Sequence, residues 1–373
     1  MEVDYSGEIM TLNMGPQHPS THGVLRLELK TDGEVVHEAI PHIGYLHRCF
    51  EKHAENVEYP GVVPFADRMD YVAAMNNELG YVLAVEKLMG IQVNDRVRYL
   101  RVIMAELNRI ASHLLAAGTY GLDMGSWTPF LHCFRDRETI LDLFEETCGA
   151  RLLYNYNWIG GLMHDVLPGF EKRVIDFLDR FEPLVQDLNR LLSYNYIFIK
   201  RTANVGILTP EMAISFGVTG PNLRGSGVAF DVRRDEPYLG YDEFDFEVVV
   251  GKGEFGPVGS CFDRYIVRIR EVLESCKIIR QAVARLKPGD VHESIPKRIK
   301  PPAGEVYMRT ECPRGELGFY IVSDGSTKPY RVKVKSPCFT AMSAFKEISR
   351  GAMIADIVAI VGSLDIVLGE IDR

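Results

Sequence analysis

The segment Gly15-Pro16-Gln17-His18-Pro19-Ser20-Thr21-His22-Gly23 sets two imidazoles four residues apart where helix cannot form. Pro16 and Pro19 fix φ and disfavour helix in the residue before each. Gly15 and Gly23 permit turns at both ends. Imidazoles held on such a loop can donate protons near neutral pH. Taken alone, the segment fits better a loop whose histidines only hydrogen-bond their surroundings. A metal site on His18 and His22 would need further ligands, and no glutamate or cysteine stands nearby at usual spacing.

The elements around this loop follow from apolar spacing. Val24, Leu25, Leu27 and Leu29 alternate with Arg26, Glu28 and Lys30 as in a strand, and Asp32-Gly33 reads as a hairpin turn before Val35-Val36. The first 60 or so residues look β-rich. Helices are predicted over Tyr71–Met89, over Asp95–Ala117 with a stop at Gly118, and over Thr128–Gly149. Two more are predicted over Phe170–Leu192 and Phe262–Leu286, with shorter ones near Thr340–Ile348 and Ala355–Leu364. Residues 207–259, rich in Gly, Pro, Asp and aromatics, should form ordered loops with a few strands. Phe319–Lys335 reads as a hairpin around Ser323-Asp324-Gly325. The expected fold class is α+β, mainly α: a long-helix bundle with small β elements. We divide it into a β-rich N-terminal part carrying the histidine loop (1–64), the bundle (65–290) and a closing hairpin with helices (291–373).

The bulk properties narrow the function classes. The 373 residues carry a net charge of -9 with no basic patch, which disfavours nucleic acid as a partner. The seven cysteines include no C-x-x-C pair, so no metal or cluster site built from this chain's thiols is expected, and the compartment reads as reducing. The acidic N-terminus lacks the apolar region of a signal peptide. Only Ile357–Leu364 is uninterrupted between Asp356 and Asp365, too short to cross a bilayer. Work at a membrane would then be done from the water side or through partners.

Three further segments could do chemistry. His42–Lys52 is dense in polar aromatics and cations, though a packed junction would look similar. Arg68-Met69-Asp70-Tyr71 opens a predicted helix with Asp70 set to favour its dipole. Asp123 lies in Gly121-Leu122-Asp123-Met124-Gly125, which reads as a loop after a helix.

Together these stretches are far more specific than any one alone. With MTLNMGPQHPSTHGVLRL, HIGYLHRCFEK, DRMDY, GLDMG, TPFLHCFRDRETILDLFE, GVTGPNLRGSGVAFDVR, RGELGFYIVSDG and SLDIVLGEIDR, the chain resembles the quinone-site (D) subunits of respiratory complex I. These subunits belong to a proton-translocating NADH:quinone oxidoreductase and are related to the large subunits of nickel-iron hydrogenases, whose helical bundle the resemblance implies here. The matching stretches run from about residue 10 to the last residue.

The resemblance implies roles. His22 and Tyr71 would hydrogen-bond and protonate the quinone head group, with Asp123 paired to His22. His18 and Thr119 would line the same pocket. Arg48 and Arg68 would lie beside a terminal 4Fe-4S cluster held by a neighbouring iron-sulfur subunit. Quinone would be the substrate, no metal would be bound by this chain, and the partners would be the peripheral-arm and membrane-arm subunits. The location would be the cytoplasmic side of the cell membrane. Reducing a quinone with two electrons builds charge on two oxygens that need donors and two protons, which a phenol and an imidazolium can supply. A purely structural subunit with its site elsewhere is the rival reading.

Hydrogenase large subunits bind nickel and iron through R-x-C-G-x-C and D-P-C-x-x-C. Here the four thiolate positions are Asp70, Ala73, Val367 and Glu370, so the soft ligands are gone. The chain also departs from its relatives. Cys49 replaces a common glycine, Leu152-Leu153-Tyr154 stands where many carry a histidine near the cluster, and 291–304 looks shortened.

Overall fold

The computed structural model describes residues 9–16 and 23–373. His18 and His22 lie outside the described residues, so the predicted approach of His22 to Tyr71 and Asp123 is not among the geometry below.

A three-stranded antiparallel meander opens the chain: β1 (Met10–Met14), β2 (Arg26–Asp32) and β3 (Val35–His42). Leu27 and Leu29 point inward and are fully buried, while their neighbours stay half-exposed, as the alternation predicts. Two short helices follow, α1 (Phe50–Ala54) and α2 (Tyr59–Asp67). A β-rich start does not anticipate them. Pro60 sits in the first turn of α2, where a missing N–H costs nothing.

The bundle comprises α3 (Ala74–Met89), α4 (Asp95–Asp123), α5 (Trp127–Cys148), α6 (Phe170–Leu188) and, later in the chain, the long central helix Cys261–Arg285. α4 begins where the Asn94 side chain accepts the Val97 N–H at 3.1 Å. It does not stop at Gly118 but runs on through Gly121 to Asp123. The two glycines are packing devices here. A Cβ on Gly118 would lie 3.2 Å from Cys133 on α5, and one on Gly121 would lie 3.0 Å from Leu192. Thr119 and Asp123 are therefore on the last turns of a helix, not on a loop. α6 ends in a wider turn over Asn189–Ser193, with Pro183 inside the helix.

A small hairpin, β4 (Asn157–Trp158) and β5 (Gly161–Leu162), lies between α5 and α6. Residues 207–259 contain no strand; the ordered loops expected there carry α8 (Pro210–Ser215), α9 (Gly220–Gly225) and α10 (Val232–Asp235), preceded by α7 (Tyr196–Thr202). The central helix is α11. A second antiparallel sheet has the order β6 (Gly304–Cys312), β7 (Gly315–Ser323), β8 (Arg331–Lys335). Helices α12 (Pro337–Ile348), α13 (Ile354–Leu364) and α14 (Leu368–Asp372) complete it.

Two apolar clusters form the core. One joins the first sheet to α4, α5, α6, α11 and α13. The other lies between the second sheet and α1–α3, around Tyr81, Phe319 and Ile321. Buried ionic groups cross the first. Glu106 of α4, fully buried, meets Arg109 and Arg233 at 3.1 Å, Tyr241 at 2.7 Å and Ser275 at 2.6 Å. Burial alone would raise its pKa, but the two guanidinium groups and the two hydroxyls outweigh it and hold it at about 2.

Candidate active site

Tyr71, Thr119, Arg314, Gly362, Asp365 and Val367 line one cavity of about 240 Å³ between the segment before α3, α4 and the end of α13. That is smaller than the ~300 Å³ at which drug-sized ligand pockets begin, so it suits a single ring rather than a large molecule. A second cavity of about 330 Å³, lined by Pro60, Val63, Trp158, Ile159, Ile295 and Ile299, is more apolar and offers Lys297 as its charged group. The chemistry favours the smaller one.

Its polar wall is built by tertiary pairing. Arg314, at the turn between β6 and β7, donates to Asp70 Oδ2 at 2.6 Å and to Ser112 Oγ at 3.1 Å. It also donates to the Asp365 carbonyl at 3.0 Å and to Asp365 Oδ1 at 3.3 Å. Burial would lower the arginine's pKa, but Asp365 and Asp70 outweigh it, so the guanidinium stays charged. Asp365 caps α13 with a φ of 53°, a left-handed turn that brings its carboxylate between Arg314 and Arg268. Asp70 does not act chiefly at the start of α3. It is fully buried in the ion pair and its Oδ1 accepts the Val72 and Ala73 N–H groups at 3.1 and 3.3 Å.

Tyr71 stands before α3 rather than inside it, half-buried. Burial first and the Asp70 carboxylate second push its pKa up, so it is a neutral phenol, a donor, at neutral pH. The Thr119 hydroxyl donates to the Leu115 carbonyl at 2.9 Å and keeps its lone pairs as acceptors. Asp123 is one turn further along α4. A Cβ on Gly362 would lie 3.0 Å from Asp123 Oδ2 and 2.7 Å from the Tyr120 ring, so α13 presses directly on that turn. Tyr71, Thr119 and Asp123 are thus brought to one region, the first two on the cavity wall and the third behind Gly362.

Arg48 and Arg68 lie on the adjoining exposed surface. Arg48 donates from its guanidinium to the Arg68 carbonyl. Arg68 donates to the Pro64 carbonyl at 2.7 Å. Gly369 of α14 is the shared neighbour. A Cβ there would lie 2.6 Å from the Met69 carbonyl, 3.1 Å from Arg48 Nη2 and 3.3 Å from Tyr71 Cε1. Asp372 clamps the preceding loop by accepting the Gly44 and Leu46 N–H groups, both at 2.8 Å. Cys49 is exposed and left-handed at φ 57°, a conformation that glycine adopts more easily.

Of the four positions that the resemblance sets against hydrogenase thiolates, Asp70 is spent on Arg314 and Glu370 accepts the Cys338 N–H at 3.2 Å. Burial and the nearby Asp70 push Glu370 up to about 7. Among the described residues no three or more His, Cys, Asp or Glu side chains gather to hold a metal ion. Arg314 and Asp365 are site residues that spacing does not reveal. Both lie inside stretches that carry the family resemblance, RGELGFY and SLDIV.

Known proteins match the chain along its whole length. The family model of the respiratory-chain NADH dehydrogenase 49 kDa subunit matches residues 123–301 and 292–373. The NADH-quinone oxidoreductase D subunit of Chlorobium luteolum is 58% identical over 377 residues, covering 100% of this chain and 95% of its own. The D subunit of Prosthecochloris aestuarii is also 58% identical over 377 residues, covering 100% and 94%. That of Chlorobaculum tepidum is 57% identical over 377 residues, covering 100% and 94%. The chain belongs to the family of the 49 kDa subunit of respiratory-chain NADH dehydrogenase.

Proposed function

We propose that this chain is the quinone-binding subunit of a complex I-type, proton-translocating NADH (or ferredoxin):quinone oxidoreductase. The observation that carries it is the cavity shared by Tyr71 and Thr119, backed by the Arg314–Asp70–Asp365 pairing, in a chain whose full-length relatives are NADH-quinone oxidoreductase D subunits. A quinone becomes a quinol by taking two electrons and two protons. The Tyr71 phenol donates a hydrogen bond to one ring oxygen and can pass it a proton as that oxygen becomes anionic. His22 serves the other oxygen, and Asp123 supports its imidazolium charge. His18 and Thr119 flank the ring.

The electrons would come from a 4Fe-4S cluster of the iron-sulfur partner subunit. Arg48 and Arg68 fit that group: they are exposed, cationic and joined through the Arg68 carbonyl. Positive charge there favours the reduced cluster. Among the described residues no helix is long and apolar enough to cross a membrane. As a D-type subunit we place the chain at the periphery of the complex on the cytoplasmic side, held by the other peripheral and membrane-arm subunits.

The test is Tyr71→Phe in the assembled complex. Quinone reduction should fall by about 10²–10⁴-fold, the usual scale for losing a positioned proton donor, while reduction of an artificial acceptor at the electron-input end persists. Wild-type quinone reduction in this variant would overturn the reading.

A further inference from the structure

Asp67 closes α2 and Glu78 lies near the start of α3. Both are fully buried, and their carboxyl groups are in hydrogen-bonding contact. Their outer oxygens are engaged. Asp67 Oδ2 accepts the Asn155 N–H at 2.9 Å. Glu78 Oε2 accepts the Tyr156 and Asn157 N–H groups at 2.8 and 2.7 Å. Among the described residues, the inner oxygens Asp67 Oδ1 and Glu78 Oε1 have no donor from any other residue. Two ionised carboxylates cannot remain in contact in a dry interior, because desolvation and like charge both oppose it. A single shared proton removes one charge and supplies the missing donor.

The backbone these oxygens hold is strained. Leu153 has φ 61° and Asn155 φ 49°, both left-handed without being glycine. Such residues cost on the order of 1–2 kcal/mol each and persist only when their surroundings hold them. Three N–H bonds to the acid pair do so. The groups facing the pair are Arg68 after α2, Cys148 at the end of α5 and Tyr154 in the segment itself. Burial pushes Cys148 up to about 11 and Tyr154 higher still, so both are neutral and Arg68 is the formal charge. Arg137 faces Tyr154 rather than the pair.

We propose that Asp67 and Glu78 form a one-proton binding site whose bound proton latches residues 153–157 to the end of α2 that carries Arg68. The proposal stands on these contacts alone and does not depend on the quinone reading. Burial pushes both carboxyls up, Asp67 to about 6 and Glu78 well above the ordinary carboxylate range. The first proton therefore leaves the pair near pH 6, and the one that remains is shared across the contact. A raised carboxyl pKa gives stability that is complete at low pH and is lost as pH rises through the folded value.

The test uses amide variants of the full chain, read by thermal unfolding and by proteolysis within 153–157. Asp67→Asn and Glu78→Gln should each keep the latch. The amide oxygen still accepts the backbone N–H, and the amide nitrogen donates to the partner carboxylate in place of the proton. Each single variant should unfold near the wild-type temperature and lose the wild-type decline in midpoint as pH is raised above neutral. The double variant turns two NH₂ groups toward each other. Its midpoint should drop by more than the sum of the singles, and 153–157 should be cleaved faster. An additive double variant would overturn the proposal. Should a variant fail to fold, carbon-13 labelling of the aspartate and glutamate side-chain carboxyls in the wild-type chain decides: one carboxyl of the Asp67–Glu78 pair still protonated near neutral pH supports the site, and both ionised overturns it.

Discussion

Gly362 and Asp123 are held so close that a Cβ on the glycine would sit 3.0 Å from the aspartate's Oδ2. α13, which lines the cavity, thus touches the last turn of α4 at the residue assigned to support His22. Asp123→Asn keeps the shape and removes the charge. We expect assembly at near wild-type yield and quinone reduction lowered by about 10-fold or more, since an ion pair worth about 1.4 kcal/mol already corresponds to that factor. Turnover per assembled complex measures it, and wild-type turnover would remove Asp123 from the mechanism.

Breaking the Arg314 pairing should be far more damaging to the fold. Arg314→Met leaves Asp70 buried without its counter-charge, and losing one partner of a buried pair costs about 3–5 kcal/mol. Chemical unfolding of the variant chain should show this loss. Tyr71→Phe should leave stability nearly unchanged, which separates the wall of the cavity from its donor.

Cys49→Gly should stabilise the chain. The left-handed φ of 57° costs a side-chain-bearing residue roughly 1–2 kcal/mol. Glycine returns part of that gain through roughly 0.5–1 kcal/mol of extra unfolded-chain entropy. A net gain of about 0.5–1 kcal/mol is expected from these two terms, measured by the unfolding midpoint. Cys49→Ala, which keeps the Cβ, should show none.

Glu106 makes a prediction in pH. Its folded pKa of about 2 is depressed, so its contribution is present above the ordinary carboxyl range and is lost as pH falls through about 2. Glu106→Gln should therefore cost about 3–5 kcal/mol near neutrality. The gap to wild type should narrow only below about pH 4, where an unperturbed carboxyl begins to protonate. A gap that narrows already between neutrality and pH 5 would contradict the assigned charge state.

The long helices are legible because their apolar residues recur at helical spacing and their starts carry Asn94 or Ser260 as caps. α4 reads too short in the sequence because glycine at 118 and 121 resembles a stop. Only the positions of Cys133 and Leu192 show that these glycines admit neighbouring side chains. The strand Gly304–Cys312 is not among the expected elements, although Val306 and Thr310 mark its buried face. The site is legible only in part. Tyr71, Thr119, Asp123, Arg48 and Arg68 come from family resemblance. The Arg314–Asp70 and Arg314–Asp365 pairs span 244 and 51 residues, and no local periodicity encodes them. The Asp67–Glu78 pair is equally silent, since neither residue departs from what a solvated helix would carry.

At the position that the hydrogenase-type motif would give to a thiolate, this chain sets Asp70 against the Arg314 guanidinium, with Glu370 also within its field. That positive charge is installed by translation itself. It is part of the chain, so no chelator can withdraw it, and its proton stays in place at any pH the cell will meet.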